Sequence, residues 1–136
     1  MLNVFPELIT FVLFAPFMLR VAVGILFFFW GIRLLWREKH AEAASTLRVE
    51  WGSMGVFFIW YLAFTEILLG LTLIAGFFTQ IAAIVGMIIS GKLYFYSTRY
   101  PIVAHADKTT YFLIFIICLS LLLTGAGIFA IDLPRL

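Results

Sequence analysis

The stretch Glu66-Ile-Leu-Leu-Gly-Leu-Thr-Leu-Ile-Ala-Gly-Phe-Phe-Thr-Gln-Ile-Ala-Ala83 decides the fold. It places one carboxylate in the middle of an apolar segment, which is followed by a turn without charges and by a second apolar segment that begins with small residues. A carboxylate inside hydrocarbon costs a few kcal/mol even on the most lenient insertion scales. Glu66 therefore needs either a partner or a functional role.

The composition is that of an integral membrane protein. Of the 136 residues, 65% are hydrophobic and 12% are charged, and the mean hydropathy is +1.15; a soluble domain is about half apolar and about a quarter charged. The apolar residues form long continuous blocks, which indicate spanning helices and not the alternating pattern of a β-barrel. The net charge of +2 and the absence of a basic face exclude a nucleic-acid partner. Because Cys118 is the single cysteine, no disulfide can form within the chain.

The apolar blocks predict an all-α fold, an integral membrane four-helix bundle that forms one domain over residues 1–136. The predicted spans are at about 14–35, 56–76, 80–97 and 111–131. Pro16 fits the first turn of the first helix, where its missing N–H costs little. The polar segment 37–55 is either a short amphipathic helix on the membrane surface or a solvated linker.

The positive charges predict the orientation. Four spans place both termini on one side and the connections 37–55 and 98–110 on the other. Those connections and the adjoining helix ends hold six cations, namely Arg33, Arg37, Lys39, Arg48, Arg99 and Lys108. Since cytoplasmic loops carry the excess of Lys and Arg, we expect these connections in the cytoplasm and both termini outside.

Three charged residues fall within the predicted spans: Arg20, Glu66 and Lys92. Counting ~1.5 Å per residue places Arg20 ~6 Å outward of the middle of its span, Glu66 near the middle, and Lys92 ~5 Å inward. Arg20 shares a helix face with Gly24 and Gly31, and glycines on such a face indicate a closely packed neighbouring helix. We therefore expect Arg20 to contact Glu66 across the bundle.

Each of these charges has a structural and a functional interpretation. Arg20 and Glu66 are either a buried ion pair that fixes the helix register or part of a ligand, proton or quinone site. Lys92 either joins that site or extends its ammonium group to the membrane surface.

Small residues at helical spacing predict the packing faces. They are Gly24, Gly31, Gly70, Ala82, Gly86, Ser90, Gly125 and Gly127. His40 and His105 both fall in polar connections, so a bis-histidine haem within the bundle is not expected. No metal-ligand spacing, phosphate-binding loop or nucleophile motif is present. The sequence therefore predicts no metal site and names no catalytic residue.

The order of these features resembles the DoxX family of four-helix bacterial membrane proteins. The resemblance rests on Arg20-Val-Ala-Val-Gly24 with Gly31, on the Glu66-x3-Gly70-x5-Gly76-Phe-Phe-Thr79 stretch followed by Ala82-Ala83, and on Leu-Leu-Thr-Gly125-Ala-Gly127-Ile-Phe-Ala-Ile-Asp132 near the end. Together these segments run from about Arg20 to Asp132, most of the chain.

The chain departs from the family pattern at three places. It has Arg33 where the family often has Lys, Tyr94 and Tyr96 where a His is frequent, and Ala130 where Ser is usual. A histidine-dependent chemistry is therefore not carried over to this chain.

The resemblance implies a multi-pass protein of the bacterial inner membrane, in which the distribution of positive charges would place both termini on the periplasmic side. Some DoxX-type proteins are similar to small subunits of quinone-linked oxidoreductases, including thiosulfate:quinone oxidoreductase, or to partners in oxidative-stress assemblies. Distant eukaryotic relatives are membrane chaperones or cargo receptors. The fold thus carries over better than the reaction.

The leading hypothesis from the sequence is an accessory subunit of a quinone-linked or respiratory-type membrane complex, at most non-catalytic or quinone-binding. Arg20 would then donate a hydrogen bond to a quinone oxygen, and Glu66 would handle a proton. No intrinsic cofactor is expected; a quinone or a lipid is the expected ligand, and membrane lipid with other subunits or further copies of the chain are the expected partners. The alternatives are a non-catalytic scaffold or assembly factor and a small-molecule transporter.

Overall fold

The computed structural model of the chain describes residues 14–101, 103–104 and 106–124. Within these ranges the chain is helical and contains no strand. The five helices are α1 (Phe14–Leu35), α2 (Arg37–Trp51), α3 (Ser53–Ala75), α4 (Thr79–Tyr96) and α5 (Lys108–Thr124). The predicted all-α membrane bundle is confirmed, and the polar segment 37–55 adds a fifth helix to it.

Among the described residues, three helices are long and apolar enough to cross a membrane, namely α1, α3 and α4. The shorter apolar helix α5 has 17 residues in the described part of the chain. Helices α3 and α5 each begin a few residues before the spans predicted for them. The end of the predicted fourth span, with Gly125 and Gly127, lies outside the described residues, as does everything before Phe14.

Helices α1 and α3 are antiparallel and pack through glycines. A Cβ added at Gly70 would lie 2.6 Å from the backbone nitrogen of Phe28 and 2.7 Å from the carbonyl oxygen of Gly24. A Cβ at Gly31 would lie 2.8 Å from the carbonyl oxygen of Ala63. Because the two backbones touch at both points, the glycines fix the register of α3 along α1.

The first turns of α3 pack against α2. The two helices are joined at Gly52, whose φ of +63° is a left-handed value that suits glycine. A Cβ at Gly55 would lie 2.6 Å from the carbonyl oxygen of Leu47, and Ala43 and Leu47 are buried. Helix α2 therefore forms a short hairpin with the start of α3.

A tight turn joins α3 to α4. Gly76 ends α3 with a φ of +70°, and the N–H of Phe77 donates to the carbonyl of Thr72 at 3.0 Å. These are the features of a glycine-terminated helix end. Phe78 also has a positive φ, +48°, which is uncommon for a bulky residue. The turn sets α4 antiparallel to α3.

The remaining contacts close the bundle. Helix α4 packs on α5 through its small residues: Ala82 and Ser90 are buried, and a Cβ at Gly86 would lie 2.9 Å from the Sγ of Cys118. Helix α1 also reaches α5, where the rings of Trp30 and Tyr111 are 5.5 Å apart. The α1–α3 and α4–α5 pairs are extensive, whereas α3 and α4 touch along a much thinner strip.

Candidate functional site

A groove runs between α3 and α4, which pack less extensively than the α1–α3 and α4–α5 pairs. At the α3–α4 turn it forms a cavity of about 270 Å³, here called the turn-side cavity. Its lining is almost entirely apolar and consists of Thr65, Leu68, Leu69, Thr72, Phe77, Phe78, Ile81, Ala82 and Val85.

The groove continues toward the other end of the two helices as a second, more enclosed cavity of about 210 Å³, here called the loop-side cavity. It is lined by Phe58, Tyr61, Leu62, Thr65, Val85, Ile88, Ile89, Lys92, Leu93, Tyr96 and Val103. Thr65 and Val85 line both cavities. The two cavities are therefore neighbouring parts of one groove.

The threonines of the groove have already donated their hydroxyl hydrogens. Thr65 Oγ1 donates to the carbonyl of Tyr61 at 2.6 Å, and Thr72 Oγ1 donates to the carbonyl of Leu69 at 2.9 Å. A hydroxyl has one hydrogen and two lone pairs. Each threonine oxygen can therefore still accept a hydrogen bond from a ligand.

Lys92 lies at the loop-side end of the groove and is exposed. No carboxylate is among the residues that line its cavity, and neither of the ion pairs found among the described residues includes it. Lys92 is therefore the one charged residue in the lining of a mostly apolar cavity.

Arg20 and Glu66 are both fully buried, and neither lines the two cavities of the groove. The guanidinium carbon of Arg20 lies 5.3 Å from the ring centroid of Phe17, a distance typical of a cation–π contact. Within the described residues, neither carboxylate oxygen of Glu66 has a hydrogen-bond partner. The predicted contact between Arg20 and Glu66 is therefore wrong.

The helix register explains this correction. Gly31 faces the segment from Ala63 to Ile67, so Glu66 lies level with Gly31. Arg20 lies eleven residues earlier on α1, a separation of ~16 Å along the helix at 1.5 Å per residue. The prediction counted residues from the ends of each span and so placed the middles of both helices at the same depth. In the structure α3 begins earlier, and its first turns pack on α2.

A charged cluster connects the end of α2 to the segment after α4. Arg99 donates to Glu50 through Nη2 at 2.6 Å, and the hydroxyl of Tyr100 donates to the other carboxylate oxygen of Glu50. The Tyr100 hydroxyl and then Arg99 lower the pKa of Glu50, and the pKa of Tyr100 is raised in turn by its bond to this carboxylate. The cluster ties the α4–α5 connection to α2.

The other polar candidates have local structural roles. Ser90 Oγ donates to the carbonyl of Gly86 at 2.7 Å, and the ring of His40 lies 4.7 Å from that of Trp60. In the described part of the chain no three His, Cys, Asp or Glu side chains come together as a metal site. His105 lies outside the described residues.

The α3 wall of the groove was missed from the sequence, although a signal was present. Tyr61, Thr65, Leu68 and Thr72 recur at helical spacing and form a polar-interrupted stripe on one face of α3. On α4, Lys92 and Val85 are likewise at helical spacing and share one face with other apolar residues. Recognising the groove required knowing that these two faces meet.

The model of the DoxX family matches residues 15–95, more than half of the chain. The chain belongs to the DoxX family. The matched range includes nearly all of α1, all of α2 and α3, and nearly all of α4, and therefore most of the residues that line the groove. No curated protein and no solved structure matches the chain.

Proposed function

We propose that this DoxX-family membrane protein is a non-catalytic accessory subunit of a quinone-linked membrane oxidoreductase, and that it holds a quinone in the turn-side cavity. The observation that carries the proposal is the lipid-facing gap between α3 and α4, whose lining is apolar and aromatic. Quinones reach their sites through the membrane interior, so a cavity that opens sideways between two spanning helices suits them.

The size of the groove supports a ligand of this class. The turn-side cavity, at about 270 Å³, lies near the lower end of the ~300–1,000 Å³ range of small-molecule sites. The turn-side cavity would hold the ring, and the isoprenoid tail would leave through the opening toward the lipid.

The lining also supports a preference for the reduced form. The rings of Phe77 and Phe78 are edge-to-face at 4.7 Å and offer an aromatic surface to a flat ring. Thr65 and Thr72 can accept hydrogen bonds but have no free hydroxyl hydrogen to donate. A quinol donates two hydroxyl hydrogens and a quinone donates none, so this lining suits the quinol.

The proposal gives Arg20 and Glu66 no contact with the quinone, since neither lines the cavity. The proposal therefore assigns the ligand to the groove alone. The redox centre and the electron donor belong to the partner subunits. The chain itself brings no intrinsic cofactor.

The same proposal includes the orientation in a bacterial inner membrane. Cations collect at one end of the bundle, in the last turn of α1, in α2, after α4 and at the start of α5, as Arg33, Lys39, Arg48, Arg99 and Lys108. By the positive-inside rule this end would be cytoplasmic and the α3–α4 turn periplasmic. The proposed quinone site would then lie in the periplasmic half of the membrane.

The test is to extract quinones from the protein purified from native membranes in mild detergent. We expect the wild type to retain quinone, and Thr72→Trp, which fills the turn-side cavity, to retain about ten-fold less. Leu71→Trp is the matched control, because Leu71 is exposed and does not line the cavity. It adds the same bulk and should retain quinone as the wild type does.

Equal quinone content in Thr72→Trp and Leu71→Trp would refute the site, and a wild type without quinone would refute the quinone-linked role. The latter result would favour the second candidate, a non-catalytic scaffold. The close α1–α3 packing at Gly24, Gly31 and Gly70 supports that candidate, since it gives a rigid pair of helices on which partners can assemble. A transporter would require water to reach Glu66. The side chain of Glu66 is fully buried, which counts against that function.

A further inference from the structure

The loop-side cavity contains a charged group that the proposed quinone site does not use. Lys92 is the one charged residue among those that line it. Tyr61, Tyr96 and Thr65 line the same cavity, and the rest of its lining is apolar. None of the lining residues carries a negative charge that could pair with the ammonium group of Lys92.

Lys92 lies within reach of the headgroup region at one end of the bundle. It is one turn before the end of α4 at Tyr96, ~6 Å along the helix axis. Trp36, Trp60 and Tyr96 are exposed at this end of the bundle, and exposed Trp and Tyr mark the interface between hydrocarbon and water. A lysine side chain at this depth can reach a lipid phosphate.

Beyond Lys92 the groove is shaped for an apolar chain. It continues past Thr65 and Val85 into the turn-side part and lies between two helices that are long and apolar enough to cross a membrane. A free phosphate ion would leave this apolar length unfilled. A lipid without net charge would leave the charge of Lys92 uncompensated, whereas an anionic phospholipid satisfies both requirements.

We propose that Lys92 binds the phosphate of an anionic phospholipid, with one acyl chain lying in the loop-side cavity between α3 and α4. The hydroxyl groups of Tyr61 and Tyr96 lie beside the headgroup and can donate to phosphate oxygens. The headgroup end of this site is separate from the proposed quinone site, because Lys92, Tyr61 and Tyr96 line only the loop-side cavity.

The experiment compares Lys92→Gln with Lys108→Gln. Both variants remove one positive charge at the same end of the bundle, but Lys108 lies outside the groove, with its ammonium group 5.9 Å from the ring centroid of Tyr94. The purified, delipidated proteins are titrated with phosphatidylglycerol, and binding is followed by native mass spectrometry and by the rise in Tm. Phosphatidylcholine and inorganic phosphate are titrated in parallel.

We expect phosphatidylglycerol to bind Lys92→Gln about ten-fold more weakly than the wild type, the loss typical of one charge-assisted hydrogen bond. Lys108→Gln should keep the wild-type affinity, and Lys92→Arg, which retains the charge, should keep most of it and shows that the position tolerates substitution. Phosphatidylcholine should bind the wild type and Lys92→Gln equally.

Equal weakening in Lys92→Gln and Lys108→Gln would overturn the proposal, because it would mean that the lysine contributes only to the general charge of this end. Stabilisation by inorganic phosphate as large as that by phosphatidylglycerol would overturn it as well, since the occupant would then be a soluble anion. The quinone content of Lys92→Gln should equal that of the wild type, which separates this site from the turn-side cavity.

Discussion

The two sides of α3 differ more than any other pair of surfaces in the molecule. Toward α1 the helix presents Gly70, and a Cβ there would lie 2.6 Å from the Phe28 backbone, so no ligand can enter. Toward α4 it presents Thr65 and Thr72 beside a cavity of about 270 Å³. One side of α3 packs closely against α1, and the other side leaves a cavity that can hold a ligand.

The difference follows from how helices associate in a membrane. Apolar side chains gain nothing by leaving lipid for a helix interface, so small residues that allow close backbone approach decide which faces pack tightly. Glycines line the α1–α3 contact, whereas side chains as large as leucine and phenylalanine keep α3 and α4 apart. The α3–α4 turn joins those helices covalently, so they remain neighbours without close packing.

The largest effect is expected where the packed side is broken. Gly70→Val adds a side chain where the nearest atoms are backbone atoms of Phe28 and Gly24, and such atoms cannot move aside without shifting a helix. We expect a loss of stability of about 3 kcal/mol, measured as a lower Tm of the detergent-purified protein.

Gly91→Val is the matched control for that change. A Cβ at Gly91 meets no atom within 4 Å, so its Tm should stay close to that of the wild type. Equal losses in the two variants would mean that valine in a helix, and not the α1–α3 contact, causes the effect.

A smaller change in stability, of opposite sign, is expected at Glu66, a polar residue on the side of α3 that packs against α1. Its carboxylate is fully buried and has no hydrogen-bond partner within the described residues. A buried polar group without a partner costs ~1–3 kcal/mol, so Glu66→Met should raise the Tm by a corresponding amount. Glu66→Gln, which stays polar, should gain less. A lower Tm for Glu66→Met would show that the carboxylate is held by a partner.

The smallest effect is expected at the cluster that ties α2 to the α4–α5 connection. The pKa of Glu50 is lowered in the folded protein, so its contribution to stability is present above its ordinary pKa of ~4.3 and is lost as the pH falls through the lowered value. Glu50→Gln should therefore lose less Tm than the wild type between about pH 7 and about pH 3.

The size of that effect is limited by solvent, because the Arg99 side chain is 71% exposed. Glu42→Gln is the control, since Glu42 pairs with Lys39 on the same helix at 3.4 Å and reaches no second element. If Glu42→Gln flattens the pH dependence as much as Glu50→Gln does, the cluster has no special role.

The class of the protein and the positions of its helices were predictable from the sequence. Long apolar blocks, and glycines at the ends of helices, are signals that can be recognised in a short stretch of sequence. The first span, at about 14–35, agrees with α1 over Phe14–Leu35. The faces that meet were less predictable. Gly24, Gly31 and Gly70 do lie where two helices touch, but their sequence positions alone do not tell which partner residue lies opposite.

The site was predictable only in part for the same reason. Glu66 and Arg20 stand out in the sequence as charges in apolar surroundings, yet they lie ~16 Å apart along the helices and outside the groove. The groove exists because α3 and α4 fail to pack closely, and a poor fit between two surfaces leaves no local motif. Of the three charges in the spans, only Lys92 lines a cavity of the groove.

The central claim is that ligands meet α3 on the side that faces α4 and not on the side that faces α1. The most direct measurement is photolabelling of the protein in native membranes with an azido-quinone, followed by mapping of the labelled residues by mass spectrometry. We predict labels on residues of the turn-side cavity, such as Thr72, Phe78 and Ile81, and competition by unlabelled quinol. Labels spread evenly over the lipid-facing surfaces of α1 and α5, without competition, would contradict the account.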